Sequence, residues 1–295
     1  MSRPFRFGVT AAYTPSHTAW IRTARRVEEL GYATLLMPDR VGIGSLAPLT
    51  ALAVAAEATT SLRIGSYVFC NEYRHPVLLA REAATLDLLS EGRFELGLGA
   101  GVGPTEFQQL GIPFAPAGTR VGHLEETLQL MKLLFTEETV NFSGKYYTIT
   151  GMKGNIRSVQ QPHLPLLVAG IGERMLKLAA REANIIAIGS KISAQGRDPA
   201  DATLEQKIAW VKEAAGKRFA DLELSQTIYD LVITDSRTDL APQAGGPPIP
   251  KRPLSTEQAV AQLLELRERY GFSYLQIYAG QMENFAPVVE RLAGT

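Results

Sequence analysis

The sequence predicts an α/β protein built as a (β/α)8 TIM barrel with insertions on its C-terminal face, and three observations point there. Short β-rich runs alternate with longer helical runs along the chain, which specifies either a doubly wound sheet or a closed barrel. About eight such units can be counted, which favours the barrel. The length, 295 residues, is one that parallel α/β barrels routinely reach as one domain, so residues 1–295 are read as a single domain.

The elements follow in order. Residues 5–10 read as a first strand. Residues 20–30 form an amphipathic helix ended by Gly31, a natural helix stop. Residues 33–37 (ATLLM) are a second strand, and 48–58 an Ala-rich helix opened by Pro48. Residues 62–69 are a third strand, followed by a helix over 76–89 with Pro76 at its start. Strands four, five and six fall at 94–98, 166–169 and 185–188, with a helix at 173–183. Met131 and Leu134, at helical spacing, are ordinary core. Strand seven spans 222–229. A helix over 256–270 stops at Gly271, and strand eight spans 274–278.

Three stretches break the rhythm. Residues 140–149 (VNFSGKYYTI) read as a hairpin turning at Ser143-Gly144, an insertion extending to about residue 160. Residues 193–202 are polar and poor in helix formers. Residues 236–253 are rich in Pro and Gly and exclude regular structure. Insertions after barrel strands lie on the catalytic face, so this last segment is either a surface loop or a lid over a cofactor.

Composition narrows the function. Lys+Arg and Asp+Glu are both 30, so no charge excess argues for a nucleic-acid partner. The N-terminal MSRPFRFGVT lacks the apolar core of a signal peptide, and no stretch is long and apolar enough to span a bilayer. The single cysteine, Cys70, excludes an internal disulfide, and a cytoplasmic protein is the expectation. His17, His123 and His163 show no ligand spacing, so no metal site is expected. His75, just before Pro76, reads as a helix cap.

Active sites of such barrels sit at the C-terminal strand ends. After strand two come Asp39 and Arg40; after strand three, Phe69, Cys70 and Asn71; after strand four, Gly99, Ala100, Gly101 and Val102, with Glu106 a turn later. After strand five, Gly170, Ile171 and Gly172 precede Glu173 and Arg174. There, bare N–H groups at a helix start suit a phosphate. Tyr13 and Tyr229 follow strands one and seven.

The run from Arg74-His75-Pro76 through Ala84-Thr85-Leu86-Asp87 and Gly92-Arg93 to Gly97-Leu98-Gly99-Ala100-Gly101 resembles the signature of the luciferase-like monooxygenase superfamily. Residues 165–184 resemble its coenzyme F-420-dependent branch. The resemblance implies an oxidoreductase that moves hydride between the deazaflavin and a small organic substrate, or, as the alternative, an FMN-dependent monooxygenase using O2. It places the cofactor against Asp39, Phe69, Cys70, Asn71, Gly99, Ala100, Gly101 and Val102. Its phosphate goes to Gly170, Ile171, Gly172 and Arg174, and Glu173 is counted with them among the cofactor-binding residues. The resemblance also implies a non-prolyl cis peptide at or beside Phe69-Cys70-Asn71, with Cys70 backing the ring. A homodimer fits it too, since relatives often pair. The chain departs from the pattern where many relatives carry Asp-His after strand two and here it is Asp39-Arg40. It departs again where sugar-phosphate dehydrogenases carry a glutamate and here it is Val102. Both departures argue against alcohol oxidation, which needs a base, and favour C=C or C=N reduction. No catalytic residue is assigned; the candidates are Arg40, Tyr13, Tyr229 and Glu106.

Overall fold

A computed structural model describes residues 3–42, 46–154, 157–193, 196–235 and 252–295. Eight strands form its centre: β1 (Arg6–Thr10), β2 (Thr34–Met37), β3 (Arg63–Ser66), β4 (Phe94–Gly99), β5 (Leu166–Gly170), β6 (Ile185–Ile188), β7 (Glu223–Thr227) and β8 (Phe272–Tyr278). Each pairs in parallel with the next, and β8 returns to β1 with Tyr274 opposite Arg6. The ring is closed, so the barrel strands leave no open edge. Around it lie α1 (His17–Glu29), α2 (Pro48–Ala58), α3 (Pro76–Leu89), α4 (Pro104–Leu110), α5 (Ala117–Thr136), α6 (Glu173–Glu182), α7 (Leu204–Ala215), α8 (Thr256–Tyr270) and α9 (Met282–Leu292).

Strand alternation divides the core in two. Phe7, Val9, Leu35, Leu96, Val168 and Ile186 point outward into the large cluster shared with the helices. Leu36, Leu167, Ile185, Ala187 and Tyr274 form a smaller cluster inside the barrel. Local chemistry marks the helix ends. Pro48 and Pro76 open α2 and α3, and His75 caps α3 by accepting from the Val77 N–H at 3.3 Å. Ser255 and Gln258 form a reciprocal capping box on α8, and Gly271 ends it at φ 84°.

Several elements differ from the sequence reading. Helix α1 begins at His17 because the Ser16 hydroxyl accepts from the Ala19 N–H, so the cap lies a turn earlier than Trp20. The third strand is broken after Ser66 and resumes at Phe69–Cys70. The hairpin pairs Thr139–Ser143 with Thr148–Lys153, and its turn spans residues 144–147, where Glu126 receives three backbone N–H groups. Residues 236–251 lie outside the described residues, but Arg252–Leu254 pairs with Leu231–Ile233, so the end of the Pro/Gly-rich stretch is regular structure after all. Helices α4, α7 and α9 fall where no element was read.

The floor of the barrel is ionic. Glu95 on β4, 3% exposed, accepts from Arg6 of β1 at 2.5 Å and from Arg63 of β3 at 2.7 Å. Arg6 also holds Glu223 of β7 at 2.6 and 2.7 Å, and its guanidinium lies 3.6 Å over the Tyr274 ring of β8. The two guanidinium groups hold the Glu95 carboxyl below the usual carboxylate range against the opposing effect of burial. Truncating Glu95 would remove the buried carboxylate that Arg6 and Arg63 share, leaving Arg6 with Glu223 and Arg63 with Gln160. Glu95→Ala is therefore expected to cost about 3 kcal/mol, the low end for a broken buried pair, read from denaturant unfolding. Because the folded carboxyl titrates low, its contribution is complete above the unfolded value near ~4.3 and is lost as pH falls below it. A Glu95→Gln variant should therefore lose less stability than the wild type between neutral and acid pH, and equal acid sensitivity would show that Glu95 contributes nothing.

Candidate active site

Above the floor, β3 and β4 part. The Ser66 hydroxyl donates to Gly97 O and accepts from Gly97 N–H, both at 2.8 Å, in place of ladder bonds. The contact is so close that a Cβ on Gly97 would lie 2.0 Å from Ser66 O. The chain then passes through a cis peptide at Tyr67-Val68 and rejoins the sheet with Phe69 beside Leu98 and Cys70 beside Gly99. The cis bond thus precedes the Phe69-Cys70-Asn71 position expected for it. Val68 packs where a Cβ on Gly99 would be 2.8 Å away; one on Gly101, at φ 78°, would meet Phe107 at 2.8 Å and Cys70 at 2.9 Å. The glycines after β4 exist first because the chain approaches itself there.

This bulge forms one wall of a cavity of about 440 Å³ at the strand ends, within the range of small-molecule sites. Of the cofactor-binding candidates, Asp39, Phe69 and Cys70 line it, as do Gly99, Ala100, Gly101 and Val102, and, opposite, Gly170 and Ile171. Asn71, Gly172, Glu173 and Arg174 do not. Asn71 is buried in the 3-10 turn behind the bulge. Gly172 is the exposed N-cap of α6, with nothing within 4 Å of a built Cβ. Glu173 pairs with Lys177 on the helix surface. The exposed Arg174 lies against Gly118 at the start of α5. Among the catalytic candidates, Arg40, Glu106 and Tyr229 line the cavity, whereas Tyr13 is 68% exposed and outside it.

Charges around the cavity are mostly matched. Asp39 is clamped by Arg74 at 2.5 and 2.9 Å and accepts the Cys70 N–H at 3.0 Å, so its carboxylate braces the bulge. Arg40 pairs across the mouth with Glu106 at 2.7 Å, not with its neighbour Asp39. Glu106 also accepts from the Tyr73 hydroxyl at 3.4 Å. Burial pushes the Cys70 thiol up to about 11, so it stays protonated and backs the cavity as an inert group. Among the lining residues that the sequence reading does not single out, two carry polar groups into the site. Arg120 of α5, 8% exposed, donates to the carbonyls of Ala100 and Ala115 and stacks 3.9 Å over Phe114. No local motif marks it. Tyr67 continues the inward alternation of Arg63 and Gly65, which is visible in the sequence, and its hydroxyl meets Thr227 at 3.0 Å.

The contrast between two glycines is testable. Gly97→Ala must push Ser66 and the bulge apart and should cost about 1–3 kcal/mol. Gly172→Ala, in open space, should stay within about 0.5 kcal/mol of wild type. Thermal unfolding of both variants checks this, and equal stability would refute the assignment of Gly97 to close packing.

Comparison with known proteins follows the same lines. An uncharacterized protein of Mycobacterium tuberculosis is 32% identical over 178 residues, 60% of this chain and 61% of that protein. An F-420-dependent glucose-6-phosphate dehydrogenase of Amycolatopsis mediterranei is 32% identical over 168 residues, 55% of this chain and 50% of that one. The chain thus spans between half and about three fifths of these relatives' lengths. A coenzyme F-420-dependent tetrahydromethanopterin reductase of Methanopyrus kandleri has the same fold, with TM-score 0.80 at 18% identity over 98% of this chain and 99% of that one. A long-chain alkane monooxygenase also scores 0.80, at 16% identity over 99% and 92%. The family model for luciferase-like monooxygenases matches residues 1–241, and the chain belongs to that family.

Proposed function

We propose that the protein is an oxidoreductase that binds coenzyme F-420 in the cavity and reduces a small organic substrate by hydride transfer, with residues 1–295 acting as one domain. When bound, the deazaflavin would supply or accept the hydride. The chain's residues would orient it and exclude water. The donor set supports this reading. Arg120 is a nearly buried cation whose donors go to carbonyls, and it stands beside Ala117 at the N-terminus of the 20-residue α5. Facing it are the bare backbone of Gly170 and Ile171, ahead of α6. A phosphate between two helix starts and a guanidinium meets matched charge.

The observation that favours F-420 over FMN is the open side of this phosphate position. Gly172 has free space around it and Arg174 is exposed against Gly118. FMN ends at its phosphate, whereas F-420 continues as a phosphodiester into an anionic tail that needs such an exit and such a cation. Glu173 and Arg174 thus belong to the path of the tail in this reading, and Gly172 to its opening. Val68, Phe69 and Cys70 would support the ring. Reduction is favoured over alcohol oxidation because, among the described residues, the carboxylates lining the cavity, Asp39 and Glu106, are held by arginines and offer no free base.

Titrating the protein with F-420 and with FMN tests the reading. F-420 should bind more tightly, and Arg120→Ala should weaken it by about ten- to a hundred-fold through loss of a charge-assisted contact. Tighter binding of FMN, with rapid oxidation of its reduced form by O2, would overturn it in favour of a monooxygenase.

A further inference from the structure

Three hydroxyls from two strand ends, two of them cavity-lining phenols, converge on the interior of the barrel. Thr227, the last residue of β7, donates to Gln276 Oε1 of β8 at 3.3 Å, and Gln276 is held in that orientation by donating through Nε2 to Ser225 Oγ at 2.7 Å. With its one proton committed to Gln276, Thr227 Oγ1 is an acceptor for its other neighbours. Tyr67 reaches it from the bulge at 3.0 Å, so Tyr67 donates. Tyr229, two residues beyond Thr227 on the same face, lies close enough for the Thr227 hydroxyl to act on its phenol. Both phenols line the cavity.

We infer that Tyr229 is the proton donor for a neutral conjugated carbonyl substrate, an enone or quinone, with Thr227 as its positioning residue and Tyr67 as a second donor to the same oxygen. The inference rests on the hydride-transfer reading above. The class follows from what the hydroxyl end of the cavity offers. Its apolar neighbours, Val68, Ala169 and Ala187, accept a flat apolar body. The charged side chains of the cavity are engaged elsewhere: Asp39 with Arg74, Arg40 with Glu106, Arg120 with the carbonyls of Ala100 and Ala115. Among the described residues lining the cavity, no charged side chain is left unpaired beside the tyrosines, whereas two neutral O–H groups suit an oxygen on which negative charge develops.

The step balances. A hydride, which the reduced deazaflavin would give up and be oxidised by two electrons in doing so, forms a C–H bond at the β carbon of the enone. The C=C π pair moves into conjugation and the C=O π pair onto oxygen. That oxygen takes the Tyr229 proton, giving an enol that tautomerises in water. For this, the Tyr229 O–H turns from Thr227 to the substrate, and the Thr227 hydroxyl turns from Gln276 to the new phenolate. Solvent then returns the proton, because Tyr229 also forms part of the wall of a second open cavity, of about 450 Å³, between β6, α7 and α8. Burial raises both phenols above the usual range, Tyr67 the further of the two, and the Thr227 hydroxyl offsets part of the rise in each.

Two measurements test the assignment. The first is the infrared stretch of carbonyl-labelled acetophenone, an unreactive ketone, bound to the protein holding oxidised F-420. The stretch should lie lower in wild type than in Tyr229→Phe and Tyr67→Phe; identical frequencies, or no ketone binding, would overturn the inference. The second is reduction of 2-cyclohexen-1-one by the protein with reduced F-420. Tyr229→Phe should lower kcat by about a hundred-fold or more with little change in KM. Thr227→Val should lower it too, and Thr227→Ser should restore it. Wild-type protein that binds F-420 yet leaves the enone unreduced, or a Tyr229→Phe variant that reduces it at the wild-type rate, sinks the inference while leaving the cofactor assignment standing. Failure to bind F-420 at all sinks the cofactor reading itself.

Discussion

The carboxylate of Glu95 ties together the parts of the barrel that everything else stands on. It joins β1, β3 and β4 through two arginines, and Arg6 extends the grip to β7 and β8. A closed ring of short parallel strands gains its geometry from consistent tilt and stagger, and a buried cluster reaching five of the eight strands restrains that stagger from below. The residues that matter chemically are carried at the other end of the same strands: Tyr67 beyond β3, Gly99 on β4, Gly170 on β5, Thr227 on β7 and Gln276 on β8. Their mutual placement follows from the floor. The floor is ionic, while around Tyr67, Thr227 and Gln276 the barrel interior holds hydroxyls, an amide and small apolar groups.

Between floor and mouth, the decisive constraint is the departure of β3 from β4. Reciprocal hydrogen bonds between Ser66 and Gly97 let the strands separate without orphaning backbone groups. The chain gains a bulge that points Val68 and Tyr67 toward the cavity. Asp39, one strand over, then holds the bulge by its Cys70 N–H while its charge is matched by Arg74. A residue placed by sequence reasoning among the cofactor contacts is therefore also the brace of the wall.

Much of the fold was legible because its signals are local. Pro48 and Pro76 open helices, Gly31 and Gly271 close them, and strand runs such as ATLLM need no partner to be recognised. The turn glycines after β4 and β5 located the cavity for the same reason. What stayed hidden depends on distant pairing. Whether Arg40 meets Asp39 or Glu106 is decided by loop geometry across the mouth, and Arg120 gains its place only when α5 is laid over the turn after β4. The break in the third strand was missed because the run of residues 62–69 has continuous β character; only the Ser66-Gly97 contact, formed between strands, reveals it. Residues 173–174 were grouped with the turn before them, yet helix geometry turns their side chains out of the cavity.

The Arg40–Glu106 pair has a consequence of another kind. It spans the entrance from the turn after β2 to α4, with Arg40 57% and Glu106 15% exposed. A partly wet ion pair is weak and is screened by dissolved salt, with a Debye length of about 8 Å under physiological conditions. The entrance therefore carries a latch whose strength the surrounding electrolyte sets. The buried pairs of the floor, sheltered from dissolved ions, are screened far less.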